Sequence, residues 1–201
     1  MSLGTLLLAA QFADLLWPTL VLLGIENAEV QPGSTVVTPL SFISYPYSHS
    51  LVALIVWAIL LGFGYILLRD ARAKVGLVVG ALVLSHWVLD VVSHRPDMPL
   101  AIGAGPKVGL GLWNSLPGTL ATELVMFTVG VGLYATCTKA FDRRGTIGLW
   151  ALVIFLSVIY FANMFGPPPP SATLVAWSGE AMWLIILWGY WVDRHRQPSA
   201  G

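Results

Sequence analysis

Along the chain, long apolar runs alternate with short polar breaks. Six runs, approximately 3–24, 49–68, 75–94, 117–137, 146–165 and 172–192, have the length of about 20 residues that carries a helix across a bilayer. Inside lipid each backbone N–H and C=O must find its partner within the segment, so each run is expected to be a helix. The pattern predicts an all-α fold, a polytopic membrane protein built as a bundle of about six transmembrane helices. "GPPPP" at 166–170 forms a stiff break between the last two, because proline cannot continue a helix. No repeat and no separate soluble segment interrupts the pattern, so 1–201 reads as one transmembrane domain.

Composition agrees. Apolar residues make up 57% of the chain and charged residues 10%, against about 25% charged in soluble domains. The formal net charge is zero, which gives no argument for a nucleic-acid partner. The single cysteine, Cys137, has no partner for an internal disulfide and, lying in an apolar run, reads as a core residue. The first run lacks the basic flank of a cleaved signal and carries Asp14, so it is expected to remain as a span.

The polar breaks give the runs a direction. "RDARAK" (69–74), "TKAFDRRG" (138–145) and "DRHRQ" (193–197) hold eight of the ten Lys and Arg residues, whereas 25–48 and 166–171 hold none. Only Arg95 and Lys107 lie in 95–116. The positive-inside rule then puts both termini and the basic breaks on the cytoplasmic side. His195, in the basic tail, is expected to be solvated.

Against this background, "LSHWVLDVVSHRPD" (84–97) stands out. It places His86 and Asp90 within a span, where an ionisable group costs at least about 2.5–3.5 kcal/mol and needs a partner or a purpose. With a rise of about 1.5 Å per residue, His86, Asp90, Asp14, Glu123 and Glu180 fall about 12, 6, 15, 9 and 12 Å below the outer ends of their spans. His49 stands at the outer mouth of the second span. Pro18 offers a kink that would adjust the depth of Asp14. All these groups converge on the outer half of the membrane.

His86 and Asp90, at i and i+4, share one helix face and can approach one ion. Asp14 and His49 would add ligands from two further helices. Imidazole nitrogens and carboxylate oxygens suit one divalent transition-metal ion, zinc first, with iron, manganese or nickel compatible. The competing reading is a polar cluster that holds helices together by hydrogen bonds.

The same residues carry a resemblance. "SHWVLD" with "VVS" resembles the S-H-x-x-x-D-x-x-[ST] segment of the YdjM-like membrane-bound metal-dependent hydrolases, a LexA-regulated inner-membrane type. "YSHSL", with His49, resembles that family's T-H-S-L segment, and "ADLLWP" resembles its P-D-I-D-H-P segment at Asp14 and Pro18. The match spans 11–98. Leu16 and Trp17 stand where the family has a second aspartate and a histidine, "SYPY" replaces its His-Arg-Gly, and its early histidine has no counterpart. The resemblance implies a hydrolase of the plasma (inner) membrane, with a single ion among Asp14, His49, His86 and Asp90 rather than a dinuclear centre.

Other polar residues complete the expectation. Glu123 and Asp90 are the candidates for accepting a proton from an activated water. Arg95 and Lys107, the only outward cations, and Asn114 are candidates for binding substrate, with lipid headgroups and capping of the fourth span as their competing roles. The glycine-rich 101–115 does not spell a dinucleotide fingerprint. Glu180 and His94 read as structural, the latter within a cap formed by "HRPD". The expected function is hydrolysis of an ester, amide or phosphoester in a lipid-like molecule. The alternative is a non-enzymatic protein, either a subunit meeting a membrane-protein partner or a second copy, or a transporter of protons or metal ions. The inner halves of spans two to five hold almost no ionisable residue, which argues against a path through the membrane.

Overall fold

The computed structural model describes residues 1–199. The chain is mostly helical. A first pair, α1 (Leu3–Ala10) and α2 (Phe12–Leu22), is followed by strands β1 (Asn27–Val30) and β2 (Leu40–Ser44) and the one-turn helix α3 (Pro46–His49). Two long helices come next, α4 (Leu51–Arg69) and α5 (Ala73–Ser93), then β3 (Met98–Pro99) and β4 (Lys107–Val108). A 3-10 turn at Leu112–Asn114 leads into α6 (Leu116–Cys137), β5 (Thr138–Ala140) and α7 (Arg143–Phe165). The chain closes with α8 (Ala172–Glu180), α9 (Met182–Asp193) and β6 (Arg196–Pro198).

Five helical segments are long and apolar enough to cross a membrane: α4, α5, α6, α7 and the α8–α9 unit. The α1–α2 pair brings the number to six if it forms one span, and it is bent by 55°. That bend corrects the expectation placed on Pro18. The chain breaks at Gln11, while α2 runs on through Pro18. Pro18 instead packs against α8, where a Cβ on Gly179 would meet its ring at 2.5 Å.

A second correction concerns the connections. The fold is not purely α, because three antiparallel two-stranded ladders, β1–β2, β3–β4 and β5–β6, tie them down. The ladders supply backbone partners outside the helices, where N–H and C=O groups still need them. They also anchor the tail. β6 pairs with β5, and His195 Nδ1 lies 2.7 Å from Asp142 Oδ2 with its ring against Trp191, so His195 is docked rather than solvated.

Two features position the site. First, α4 and α5 form a close helical hairpin. A Cβ on Gly62 would lie 2.6 Å from the Gly76 carbonyl, and one on Gly80 would lie 3.1 Å from that of Ala58. Small residues let helices approach closely enough for backbone contact in lipid. Second, Ala9, Ala13, Leu54, Ala58, Val79 and Val83 form a buried apolar cluster joining α1 and α2 to that hairpin. By contrast, α6 has no buried residue in its apolar window. Cys137 at its end is exposed, which corrects its reading as a core residue. An apolar run in a membrane protein faces lipid as readily as protein.

Candidate metal centre

The segment "YSHSL" builds one side of the centre. Pro46 opens α3, a position where a missing N–H costs nothing. The next N–H groups, of Tyr47 and Ser48, donate to Glu26 Oε1 at 2.8 and 2.9 Å, so a carboxylate from the preceding loop caps this short helix. The Ser48 hydroxyl donates to Glu26 Oε2 at 2.6 Å. Its one hydrogen is thereby used, so at 2.7 Å it accepts from His49 Nδ1–H. Ser50 then caps α4, its side chain accepting from the Ala53 N–H. Ser48, backed by Glu26, thus fixes both the orientation and the tautomer of His49, leaving Nε2 with a free lone pair.

His86 is held in the same way from the other side. Its Nδ1–H donates to the carbonyl of Ala10, the last residue of α1, at 2.9 Å, which again leaves Nε2 bare. One turn further along α5 stands Asp90. The two Nε2 atoms and the two aspartates then meet. His49 Nε2 lies 3.4 Å from Asp14 Oδ1 and 3.8 Å from Asp90 Oδ2. His86 Nε2 lies 3.7 Å from Asp14 Oδ1 and 3.2 Å from Asp90 Oδ2.

These separations suit an ion. Bonds of about 2.0–2.2 Å in a tetrahedron place neighbouring donors about 3.4 Å apart. Donor atoms of Asp14, His49 and His86 all lie within 4.8 Å of one another, so this buried group can hold a metal ion. Asp90 stands beside both histidines. Two of the converging atoms, His86 Nε2 and Asp90 Oδ2, are buried and face each other at 3.2 Å without an aligned hydrogen bond. The side chains of His49, His86 and Asp90 are at most 16% exposed, whereas that of Asp14 is 40% exposed, so the centre opens on the α2 side.

A second polar cluster covers it from the neighbouring loops. His94, at the end of α5, is buried, and its Nδ1 lies 3.0 Å from Asp97 Oδ1. The buried Tyr45 hydroxyl donates to the same oxygen at 3.2 Å. Arg95 donates to Asp97 Oδ2 and to the Ser41 hydroxyl, both at 2.9 Å. Burial raises the Asp97 pKa, but the bonds from His94, Arg95 and Tyr45 outweigh it and hold the carboxyl below its ordinary value. Burial, reinforced by the Asp97 charge, pushes the Tyr45 phenol up. The rings of Phe42 and Trp113 pack on His94, at 5.0 and 4.4 Å between centroids.

The four residues expected as ligands therefore come together, and the others lie elsewhere. Glu123 is not among the converging atoms, and its Oε1 accepts from the Trp113 indole at 3.4 Å. Arg95 is engaged by Asp97 and Ser41. Lys107 is exposed on β4, and Asn114 is exposed at the end of the 3-10 turn. The cap of α6 is Ser115, whose side chain accepts from the Gly118 N–H, so Asn114 does not take that role. Glu180 accepts from the Thr19 hydroxyl at 2.6 Å and joins α8 to α2. Sequence reasoning missed Glu26, which is fully buried. A carboxylate just past the first span, in a connection without any Lys or Arg to pair it, was the available signal. No family model, no curated protein and no solved structure matches the chain.

Proposed function

We propose that the chain is an integral-membrane, metal-dependent hydrolase, with six spans and both termini cytoplasmic in the plasma (inner) membrane. The observation that carries this reading is the meeting of two imidazole nitrogens with two carboxylates at 3.2–3.8 Å. Asp14, His49 and His86 would hold one divalent transition-metal ion, zinc first, whose donor chemistry these imidazole and carboxylate groups suit. Such an ion lowers the pKa of water and polarises a scissile carbonyl or phosphoryl group.

The chain's own residues then have distinct tasks. Ala10 holds the His86 ring and Ser48, backed by Glu26, holds that of His49. Asp90, next to both nitrogens, accepts the proton of the attacking water, a role that Glu123 is not placed to share. The partly exposed Asp14 marks the side from which substrate arrives. A centre embedded among apolar helices suits a lipid-like ester, amide or phosphoester, and Lys107, exposed above it, is free to meet an anionic headgroup.

The test is elemental analysis of purified protein beside His86→Ala, with a fluorogenic panel of lipid esters and phosphoesters. About one transition-metal ion per chain, lost with His86, and turnover that follows the metal are expected. Metal-free protein, or metal retained by His86→Ala, refutes the ligand set. Metal without hydrolysis favours a second reading, a subunit of a membrane complex, for which the lipid-facing α6 offers the contact surface.

A further inference from the structure

At the end of the bundle that carries the termini, α1, α4, α5 and α9 border a groove of about 630 Å³. That volume lies within the range of about 300–1,000 Å³ typical of small-molecule sites. Its length is apolar, lined by Leu8, Ala9, Leu61 and Val79. Its mouth is polar, with Ser2, Arg69 and Arg194. Among the described residues neither arginine has a carboxylate within ion-pair distance. The one carboxylate in the lining, Asp193, has both oxygens engaged, one by the Gly4 N–H and the other by the Tyr134 hydroxyl, each at 3.0 Å. The mouth therefore presents two guanidinium groups free to meet an anion.

We propose that this groove binds one anionic phospholipid of the leaflet on the side of the termini. An acyl chain lies along the apolar wall, and the phosphate sits between Arg69 and Arg194, whose planar forks suit phosphate oxygens. The groove is distinct from the metal centre. Val79 lines its floor seven residues before His86, about 10 Å along α5. The buried Ala13, Leu54, Ala58 and Val83 fill the space between. Gly64 faces the groove, and a Cβ built there meets no atom within 4 Å, so a larger side chain enters the groove without displacing anything.

The experiment is native mass spectrometry of the full chain in detergent, titrated with palmitoyl-oleoyl phosphatidylglycerol or with the phosphatidylcholine of the same chains. One phosphatidylglycerol should be retained in preference to phosphatidylcholine. The double variant Arg69→Gln/Arg194→Gln should weaken phosphatidylglycerol binding by about thirtyfold, the weight of two arginines at an anionic surface, and remove the preference. Gly64→Leu should abolish retention of either lipid. Both variants should keep the far-ultraviolet circular dichroism spectrum and the gel-filtration volume of the parent, which certifies the fold whatever the metal content. Equal retention of the two lipids by the parent, or undiminished phosphatidylglycerol retention in the double variant, overturns the proposal. The double variant decides alone if Gly64→Leu does not fold.

Discussion

The Ala10 carbonyl and His86 Nδ1 lie 2.9 Å apart, joining the last residue of α1 to the middle of α5. The bond sits at the 55° bend between α1 and α2, one turn before Asp14. A single contact thus orients one ligand where the chain turns to present another. Residue 10 cannot be tested by removing its carbonyl, but the ring can be tested by a side chain that keeps an N–H donor for that carbonyl and offers no imidazole nitrogen. His86→Gln should lose most of the metal although its length and polarity are similar, and inductively coupled plasma analysis reads this directly. Full metal retention would show that His86 Nε2 is not a ligand.

Glu26 should matter without touching the ion. It caps α3 and takes the Ser48 hydroxyl that in turn receives His49 Nδ1–H. Loss of such an outer partner typically weakens metal affinity about 10–100-fold. Glu26→Gln and Ser48→Ala should both move the midpoint of a chelator competition in that direction, whereas Glu29→Gln, on exposed β1, should leave it unchanged. An unaltered midpoint in Glu26→Gln would reduce the relay to a feature of the loop.

Asp90 and Glu123 separate by the same kind of comparison. Asp90→Asn should lower turnover by about 10²–10⁴-fold if it accepts the proton. Glu123→Gln, whose partner is the Trp113 indole, should stay within a few-fold of the parent. The reverse order would return the proton transfer to Glu123.

Removing the metal should lower stability. An ion present at about a hundred times its dissociation constant stabilises the folded state by about 2.7 kcal/mol. Chelation should therefore lower the melting temperature of the parent in detergent, and readdition of zinc should restore it. His86→Ala should melt at the same temperature with or without chelator. A parent insensitive to chelation would contradict tight binding.

Acid should loosen the loops beside α5 through Asp97. Its carboxyl is held below its ordinary value of 3.8. A group with a depressed folded pKa stabilises fully above its unfolded value and loses that contribution as pH falls through the lowered one. Trp113, whose ring packs at a tilt on His94, should report the change as a fluorescence transition beginning below about pH 3.8, and Asp97→Asn should lack it. An unchanged transition in the variant would place the acid sensitivity in another group.

The convergence of the candidate donors was legible because each is an ionisable residue within or at the mouth of an apolar run, and because His86 and Asp90 are one helical turn apart. The bend was not legible. Pro18 carries the local signal, but the break falls at Gln11, where the Ala10 carbonyl meets a ring 76 residues away. Glu26 escaped for the same reason, since it acts through Ser48 across the loop. The docking of His195 depends on pairing between β5 and β6, and the exposure of Cys137 on which flank of α6 meets protein. Hydropathy along the chain cannot distinguish a neighbour made of lipid from one made of protein.

All four converging side chains come from the first 90 residues, and the segments that follow contribute none of them. A chain emerging from the ribosome therefore carries a complete donor set once α5 has been made, with about half of its length still to be translated. Domains and subdomains tend to form in the order of synthesis. The converging side chains can then meet before the arrival of α8 and α9, whose packing on α2 and α1 closes around a cluster already formed.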